Sequence, residues 1–132
     1  MINFIVCEDN TVILQKNMDI INKLMFKNNL NYRIYKFTND SKELQNLIKN
    51  NDIGEKIYIL DIELETISGI DIARQIRKID NKSIIIISTT YVEYLPFALK
   101  NKLMLFDFVS KFEDYEANLS NVIKNAINEL NK

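Results

Sequence analysis

Five short runs of apolar residues alternate along the chain with segments in which apolar residues recur at helical spacing. Continuous Ile, Val and Leu character, clearest at residues 84–87, is typical of strands that are buried on both faces of a parallel sheet. The pattern predicts five strands, at residues 3–7, 32–37, 57–60, 84–88 and 105–109.

The segments between the strands predict helices, because their apolar residues lie three or four positions apart and so share one helix face. The first helix is expected to begin near Asn10, and Asp40 followed by Glu43 is typical of a second helix start. Pro96, the only proline, is best placed in the first turn of a fourth helix. We expect the stripes to be core: Leu14, Met18, Ile21, Met25, Leu44, Leu47, Ile48, Ile72, Ile76, Ile79, Leu119, Val122, Ile123, Ala126, Ile127 and Leu130.

This alternation of strand and helix predicts an α/β fold with a parallel sheet and helices on both faces. The length of 132 residues matches the flavodoxin-like, doubly wound arrangement, with five strands in the order 2-1-3-4-5 and five helices. No shift in composition, linker or internal repeat marks a second domain. Residues 1–132 are therefore predicted to form one domain.

The amino-acid composition excludes several classes of function. The chain has no His, which excludes Ser-His-Asp and Cys-His catalysis, His-containing zinc sites and phosphate donation from a histidine of its own. A formal net charge of −1 gives no electrostatic reason to bind nucleic acid, and the longest pure apolar run is far too short to cross a bilayer. A single Cys and no recognisable secretion signal predict a cytoplasmic protein in which Cys7 is a buried apolar residue.

Acidic side chains and one lysine follow the predicted strands at their carboxyl ends. Glu8 and Asp9 follow the first strand and Asp61 the third. Thr89 follows the fourth strand and Lys111 the fifth. Because parallel α/β sheets bind ligands outside the carboxyl ends of their strands, these side chains are expected to meet at one edge. Crowded carboxylates repel one another, and a hard cation such as Mg²⁺ relieves that repulsion, so the set predicts a metal-assisted phosphoryl site.

The combination of Glu8-Asp9, Asp61, Gly69, Thr89 and Lys111 resembles the receiver domain of two-component response regulators over essentially the whole chain. Residues 5–10 and 106–111 are most similar to receivers of the LytTR class, to which quorum-sensing accessory gene regulators belong. The resemblance implies a phosphorylation-controlled signalling switch. Such a switch is enzymatic only in catalysing its own phosphorylation and dephosphorylation, and no turnover of a separate substrate is expected.

The resemblance also implies roles for the acids. Asp61 would be the phosphoryl acceptor, taking the group from a phosphohistidine of a sensor histidine kinase. Glu8, Asp9 and Asp61 would hold Mg²⁺, and the backbone carbonyl of Glu63 would supply a further ligand.

Further roles are implied for residues around the acceptor. Thr89 and Lys111 would contact the phosphoryl oxygens, and Phe108 occupies the position of the family's switch aromatic. Glu63 and Tyr91 are expected to flank the path of the water that attacks phosphorylated Asp61, and so to set the lifetime of that state.

The expected partners follow from the same resemblance. The readout surface would be formed by the fourth helix, the fifth strand and the fifth helix, and it could also mediate a homodimer. A C-terminal output domain, which would bind DNA and control transcription, is expected to be absent from this chain. No direct contact with nucleic acid or with a membrane is expected from the segment itself.

Three other interpretations stay open. Glu65, Thr90 and Phe112 depart from the family pattern, which leaves room for a pseudo-receiver that acts as a phosphorylation-independent interaction module. A flavodoxin-like carrier of a flavin or nucleotide would want a glycine-rich loop after the first strand, where this chain has Glu8-Asp9. A Mg²⁺-dependent phosphohydrolase would normally want a cap insertion, and none is present.

Overall fold

The computed structural model describes residues 1–90 and 103–132. Pro96, with the predicted fourth helix, and Tyr91 lie outside the described residues. The described strands are β1 (Ile2–Cys7), β2 (Tyr32–Phe37), β3 (Glu55–Asp61), β4 (Ile84–Thr89) and β5 (Asp107–Ser110).

These strands form one parallel sheet in the order β2-β1-β3-β4-β5, which confirms the predicted α/β fold and strand order. The sequence placed the fifth strand two residues too early. Phe106 contributes only a backbone hydrogen bond, from its N–H to the carbonyl of Ile85 at 2.8 Å, before regular pairing begins at Asp107. Apolar character at residues 105 and 106 reflects packing against the core rather than membership of the strand.

Four helices lie within the described residues: α1 (Thr11–Asn28), α2 (Lys42–Lys49), α3 (Gly69–Ile79) and α4 (Tyr115–Leu130), the last being the predicted fifth helix. Asn10 caps α1, because its side-chain oxygen accepts from the N–H groups of Val12 and Ile13. The predicted start of the second helix at Asp40 was wrong by one residue. Ser41 is the cap, since its hydroxyl accepts from the N–H of Leu44.

The core has two halves, one on each face of the sheet. One half joins the sheet to α1 and α4, and the other joins it to α2 and α3. Most of the predicted stripe residues are buried in these halves, but Ile79 is 49% exposed, so its assignment to the core was wrong. Ile79 is the last residue of α3, beyond the part of the helix that packs on the sheet.

Helix length and polarity together decide whether a segment can cross a bilayer. Within the described residues, no helix is both long and apolar enough to span a membrane.

Candidate functional site at the carboxyl edge of the sheet

The parallel sheet brings the acids of three sequence positions together. Glu8 directly follows β1 and Asp61 ends β3, and these two strands are neighbours in the sheet. Carboxylate oxygens of Glu8, Asp9 and Asp61 all lie within 4.8 Å of one another. Glu8 and Asp61 are buried, whereas Asp9 is exposed to solvent. The arrangement is a compact, all-oxygen cluster of the kind that hard divalent cations bind.

Lys111 supplies the positive charge of the cluster. Its ammonium nitrogen lies 2.5 Å from Oε1 of Glu8 and 3.3 Å from Oδ2 of Asp61, and its side chain is only 10% exposed. The other oxygen of Glu8, Oε2, accepts from the backbone N–H of Asn10 at 3.2 Å. Both oxygens of Glu8 are therefore held in place, one by a charge and one by the turn that leads into α1.

Asp61 is held by its own loop as well as by the lysine. Its Oδ1 accepts from the backbone N–H of Glu63 at 3.1 Å, while its Oδ2 faces Lys111. The carboxylate lines a cavity of about 370 Å³ whose other walls include Asp9, Thr90 and Phe112. Asp61 is thus fixed in orientation and still open to a small ligand in the cavity.

Burial has a clear electrostatic effect on Glu8. Removal from water raises the pKa of Glu8 to about 7, and the negative charge of Asp61 adds to that rise. The hydrogen bond and the charge of Lys111, with the N–H of Asn10, act in the opposite direction. Positive charge brought into the cavity would favour the ionised form of Glu8 further.

Gly69 lies very close to Asp61 at the end of β3. A Cβ built on Gly69 would lie 2.0 Å from the carbonyl oxygen of Asp61, so no side chain fits there without a backbone shift. The N–H of Gly69 donates to the carbonyl of Ile62 at 2.9 Å, which closes the loop after β3. The chain therefore turns closely into α3 at Gly69, and a residue without a side chain is needed there because of the proximity to Asp61.

The other predicted site residues differ in their exposure and in their contacts. Thr89 is fully buried at the end of β4, and its carbonyl accepts from the N–H of Lys111 at 2.9 Å. Glu63 is exposed and lines the cavity. Phe108 lies on β5 and is 44% exposed.

Comparison with protein families gives a match over most of the chain. Residues 4–124 match the family described as the response regulator receiver domain. The chain belongs to this family. A comparison of this chain with curated proteins gave no match. The family match favours the receiver interpretation over the flavodoxin-like carrier and the phosphohydrolase.

Solved structures share the fold of this receiver domain. A CheY-like receiver protein from Methanospirillum hungatei JF-1 matches with a TM-score of 0.77 at 19% identity, over 98% of this chain and 95% of that chain. TrrA from Thermotoga maritima, solved in complex with Mg²⁺ and BeF, matches with a TM-score of 0.63 at 25% identity, over 94% and 98%. DrrB from T. maritima, described as an OmpR/PhoB homologue, matches with a TM-score of 0.71 at 20% identity, and the receiver domain spans 54% of that chain.

The resemblance to the LytTR class gains no support from these comparisons. The matching structures include a CheY-like protein and an OmpR/PhoB homologue. The subclass stays a prediction that depends on residues 5–10 and 106–111 of the receiver domain.

Sequence reasoning missed a polar cluster beside the acids, formed by Asn17, Ser88 and Tyr115. The hydroxyl of Tyr115 contacts the side chains of both other residues. A signal was available, because Asn17 lies within the buried face of α1 and Ser88 directly follows four consecutive isoleucines. Polar residues at apolar positions of the pattern could have pointed to the cluster.

Cavity size would have pointed to the wrong edge of the receiver domain. A larger cavity, of about 580 Å³, lies near the amino ends of the strands and is lined by residues such as Gly54, Lys56 and Asp80. Among residues 1–90 and 103–132, this larger cavity has no close group of carboxylates like the one that marks the smaller cavity. The chemistry of the side chains, rather than volume, identifies the site.

Proposed function

We propose that this receiver domain is the phosphorylation-controlled switch of a two-component system and that Asp61 is its phosphoryl acceptor. The observation that carries the proposal is the position of Asp61. Its two carboxylate oxygens are held by the N–H of Glu63 and by Lys111, and it lies within one cluster with Glu8 and Asp9.

The phosphohistidine donor lies outside residues 1–132, because these residues include no histidine. In the proposed transfer, an Asp61 carboxylate oxygen forms a bond to the phosphorus of a phosphohistidine on a sensor kinase. The nitrogen–phosphorus bond breaks, and its electron pair stays on the imidazole nitrogen, which takes up a proton. Phosphoryl transfer depends mainly on positioning and charge neutralisation, and the fixed Asp61 and nearby Lys111 supply both.

The acidic cluster fits Mg²⁺, since all of its side-chain donors are carboxylate oxygens within reach of one ion. Glu8, Asp9 and Asp61 would hold the ion, and the Glu63 carbonyl is proposed as a further ligand. The ion would supply charge neutralisation for the phosphoryl oxygens. A structure of TrrA contains Mg²⁺ and BeF, which supports the same requirement here.

Thr89 and Phe108 are proposed to transmit the modification. A phosphoryl group adds negative charge and acceptor oxygens beside Thr89 and Lys111, which would draw these residues toward Asp61. Phe108 lies on β5 and is 44% exposed, so a change of its rotamer would alter the surface around β5. We propose that the surface of β5 and α4 contacts a second copy or an output domain that binds DNA.

Glu63 and Tyr91 are proposed to set the lifetime of phosphorylated Asp61. Glu63 lies at the mouth of the cavity, where a water must enter to reach the acceptor. Replacing both residues by small neutral ones should change the autodephosphorylation rate severalfold. An unchanged decay rate would reject this role.

The test is incorporation of phosphate from acetyl phosphate or phosphoramidate, followed by intact mass. Wild-type protein should gain one phosphoryl group in the presence of Mg²⁺ and none with a chelator. Asp61→Asn should gain none, whereas Asp52→Asn, an exposed acid before β3, should react like wild type. A wild-type protein that never takes phosphate would instead favour the pseudo-receiver, an interaction module of the same fold.

A further inference from the structure

The polar cluster of Asn17, Ser88 and Tyr115 has no place in the phosphoryl chemistry proposed above. Asn17 belongs to α1, Ser88 to β4 and Tyr115 to the first turn of α4. Their exposed fractions are 1%, 1% and 8%. The hydroxyl of Tyr115 lies 2.9 Å from Oγ of Ser88 and donates to Oδ1 of Asn17 at 2.5 Å. One hydroxyl therefore joins the sheet to both helices of this layer.

The direction of both hydrogen bonds is fixed by the number of protons. Tyr115 has a single hydroxyl proton, and it is donated to Asn17. Ser88 must therefore be the donor in its contact with Tyr115. Removing the Tyr115 oxygen would leave a donor and an acceptor unpaired in the interior at once, which is costly.

The cluster lies directly beside the acceptor. In the pairing of β3 with β4, Ser88 is the partner of Asp61. Both side chains belong to the face of the sheet that packs on α1 and α4, since Ile59 and Ile86, two positions earlier on each strand, are in that half of the core. Burial raises the pKa of Tyr115, and the negative charges of Glu8 and Asp61 raise it further. The acids therefore interact electrostatically with this hydroxyl.

The cluster also costs stability, because it buries polar groups where α1 otherwise packs with apolar side chains. Asn17 stands between Leu14 and Ile21 on the buried face of α1, and its amide nitrogen has no hydrogen-bond partner among the residues described. Apolar side chains of similar volume at such positions often stabilise a protein as well or better. Packing alone therefore does not explain three polar groups at this point.

We propose that Tyr115 is a positioning residue for the acidic cavity. Its hydroxyl fixes the β4 position beside Asp61 relative to α1 and α4, so that occupation of the cavity and the packing of α4 influence each other. This inference rests on the proposed function, because the ligand of the cavity is Mg²⁺ with a phosphoryl group. Energetic coupling of this kind is reciprocal, so it can be measured from either side.

The first measurement is the affinity for Mg²⁺ and beryllofluoride, a mimic of the phosphoryl group. Tyr115→Phe keeps the ring and removes one oxygen, and it should weaken binding about fivefold or more if the coupling has an ordinary size. Tyr32→Phe is the matched control. Its hydroxyl also donates to an asparagine, Asn22, at 2.5 Å, but from the amino end of β2. The control should bind like wild type.

The second measurement is spectroscopic and is made on wild-type protein, with Tyr115→Phe used only to assign the resonance. In wild-type protein labelled with fluorotyrosine, the resonance of Tyr115 is assigned by its loss in Tyr115→Phe. It should shift when Mg²⁺ and beryllofluoride are added, whereas the resonance of Tyr32 should not. If Tyr115→Phe fails to fold, Ser88→Ala removes the donor to the same hydroxyl and should weaken binding in the same direction.

Each outcome decides between the alternatives. Wild-type binding with an unmoved Tyr115 resonance, or a Tyr115→Phe variant that loses stability but binds as tightly as Tyr32→Phe, would overturn the positioning role and leave the proposed function intact. A wild-type protein that binds neither Mg²⁺ nor beryllofluoride would reject the proposed function and this role with it. Weaker binding together with a shifted resonance supports the positioning role.

Discussion

Gly69 lies so close to the end of β3 that its hydrogen cannot be replaced by a methyl group without moving the backbone. In Gly69→Ala the new Cβ would meet the carbonyl oxygen of Asp61 at 2.0 Å. We expect a loss of about 1–3 kcal/mol or more in the free energy of unfolding, as for other overpacked positions. Urea denaturation measures the loss, with Thr66→Ala, an exposed change in the same loop, as control. Equal stability of the two variants would contradict the close approach.

The second prediction at the scale of single residues concerns Asp80 and the pH dependence of stability. Burial alone would raise the pKa of the Asp80 carboxyl, but hydrogen bonds from the hydroxyl and N–H of Ser83 and from the N–H of Lys82 lower it overall. A carboxyl with a lowered pKa in the folded state stabilises the protein above its ordinary pKa. That stabilisation is lost as the pH falls through the folded-state value.

Ser83→Ala tests this assignment, because it removes the hydroxyl that donates to Asp80. The variant should lose about 1 kcal/mol of stability at pH 7, a usual magnitude for one such hydrogen bond. The difference from wild type should shrink as the pH falls from the ordinary Asp value of about 4 through the lower folded-state pKa of Asp80, because only below that pKa is the carboxyl protonated in both proteins. Urea denaturation across this pH range gives the comparison. A difference that stays constant down to pH 3 would show that the lost stability has another cause.

At the scale of elements, Arg77 ties α3 to the segment that leads into β5. Its guanidinium donates to the carbonyls of Leu103 at 2.7 Å, Met104 at 3.0 Å and Asp80 at 3.2 Å. Three carbonyls are thus satisfied by one planar group, which lysine cannot reproduce. The segment 103–106 has little regular pairing with the sheet, so these bonds fix its path.

Arg77→Ala should lower the free energy of unfolding by about 1–3 kcal/mol, because carbonyls at the base of β5 lose a charged donor. Arg74→Ala is a fair comparison on the same helix. Arg74 makes an ion pair with Asp71, and both side chains are more than a third exposed, so the change should cost less than about 1 kcal/mol. Thermal and urea unfolding report both values. Similar losses in the two variants would mean that the contacts of Arg77 have no special role.

The elements themselves could be predicted from the sequence wherever packing and pattern agree. Strand β2 was predicted to the residue, and β1, β3 and β4 to within two residues at each end. The errors have local causes. Both Asp40 and Ser41 could cap α2, and the hydroxyl of Ser41 is the group that does so. Ile79 fits the apolar spacing of α3, but the helix ends at this residue. The spacing of apolar residues alone predicts neither the cap of α2 nor the end of α3.

At the scale of the whole molecule, the topology explains why the acids could be predicted to meet. Once the strands are parallel and β1 lies beside β3, the residues that follow Cys7 and Leu60 must share one edge of the sheet. The link through Tyr115 could not be predicted in this way. It depends on how α4 packs against α1, and the register of two helices across a core leaves only a weak trace in the sequence of either.

The last prediction concerns the coupling of metal binding to global stability. Glu8, Asp9 and Asp61 bring three carboxyl groups into one cluster beside the ammonium of Lys111. Mg²⁺ bound only by the folded protein should raise the free energy of unfolding by RT ln(1 + [Mg²⁺]/Kd), about 2.7 kcal/mol at one hundred times Kd. Asp9→Asn changes an exposed residue that is proposed as a ligand, so it should preserve the fold while reducing this gain to less than about 1 kcal/mol.

Urea denaturation with increasing MgCl₂ measures the gain, and NaCl at matched ionic strength separates metal binding from screening of surface charge. Asp52→Asn, which removes an exposed carboxylate near the opposite edge of the sheet, should keep the full response of wild type. An equal response from Asp9→Asn and wild type would show that Mg²⁺ stabilises the protein without using the cluster. The three carboxylates would then be a product of the topology with no ion to hold, and Asp61 would lack the charge neutralisation on which phosphoryl transfer depends.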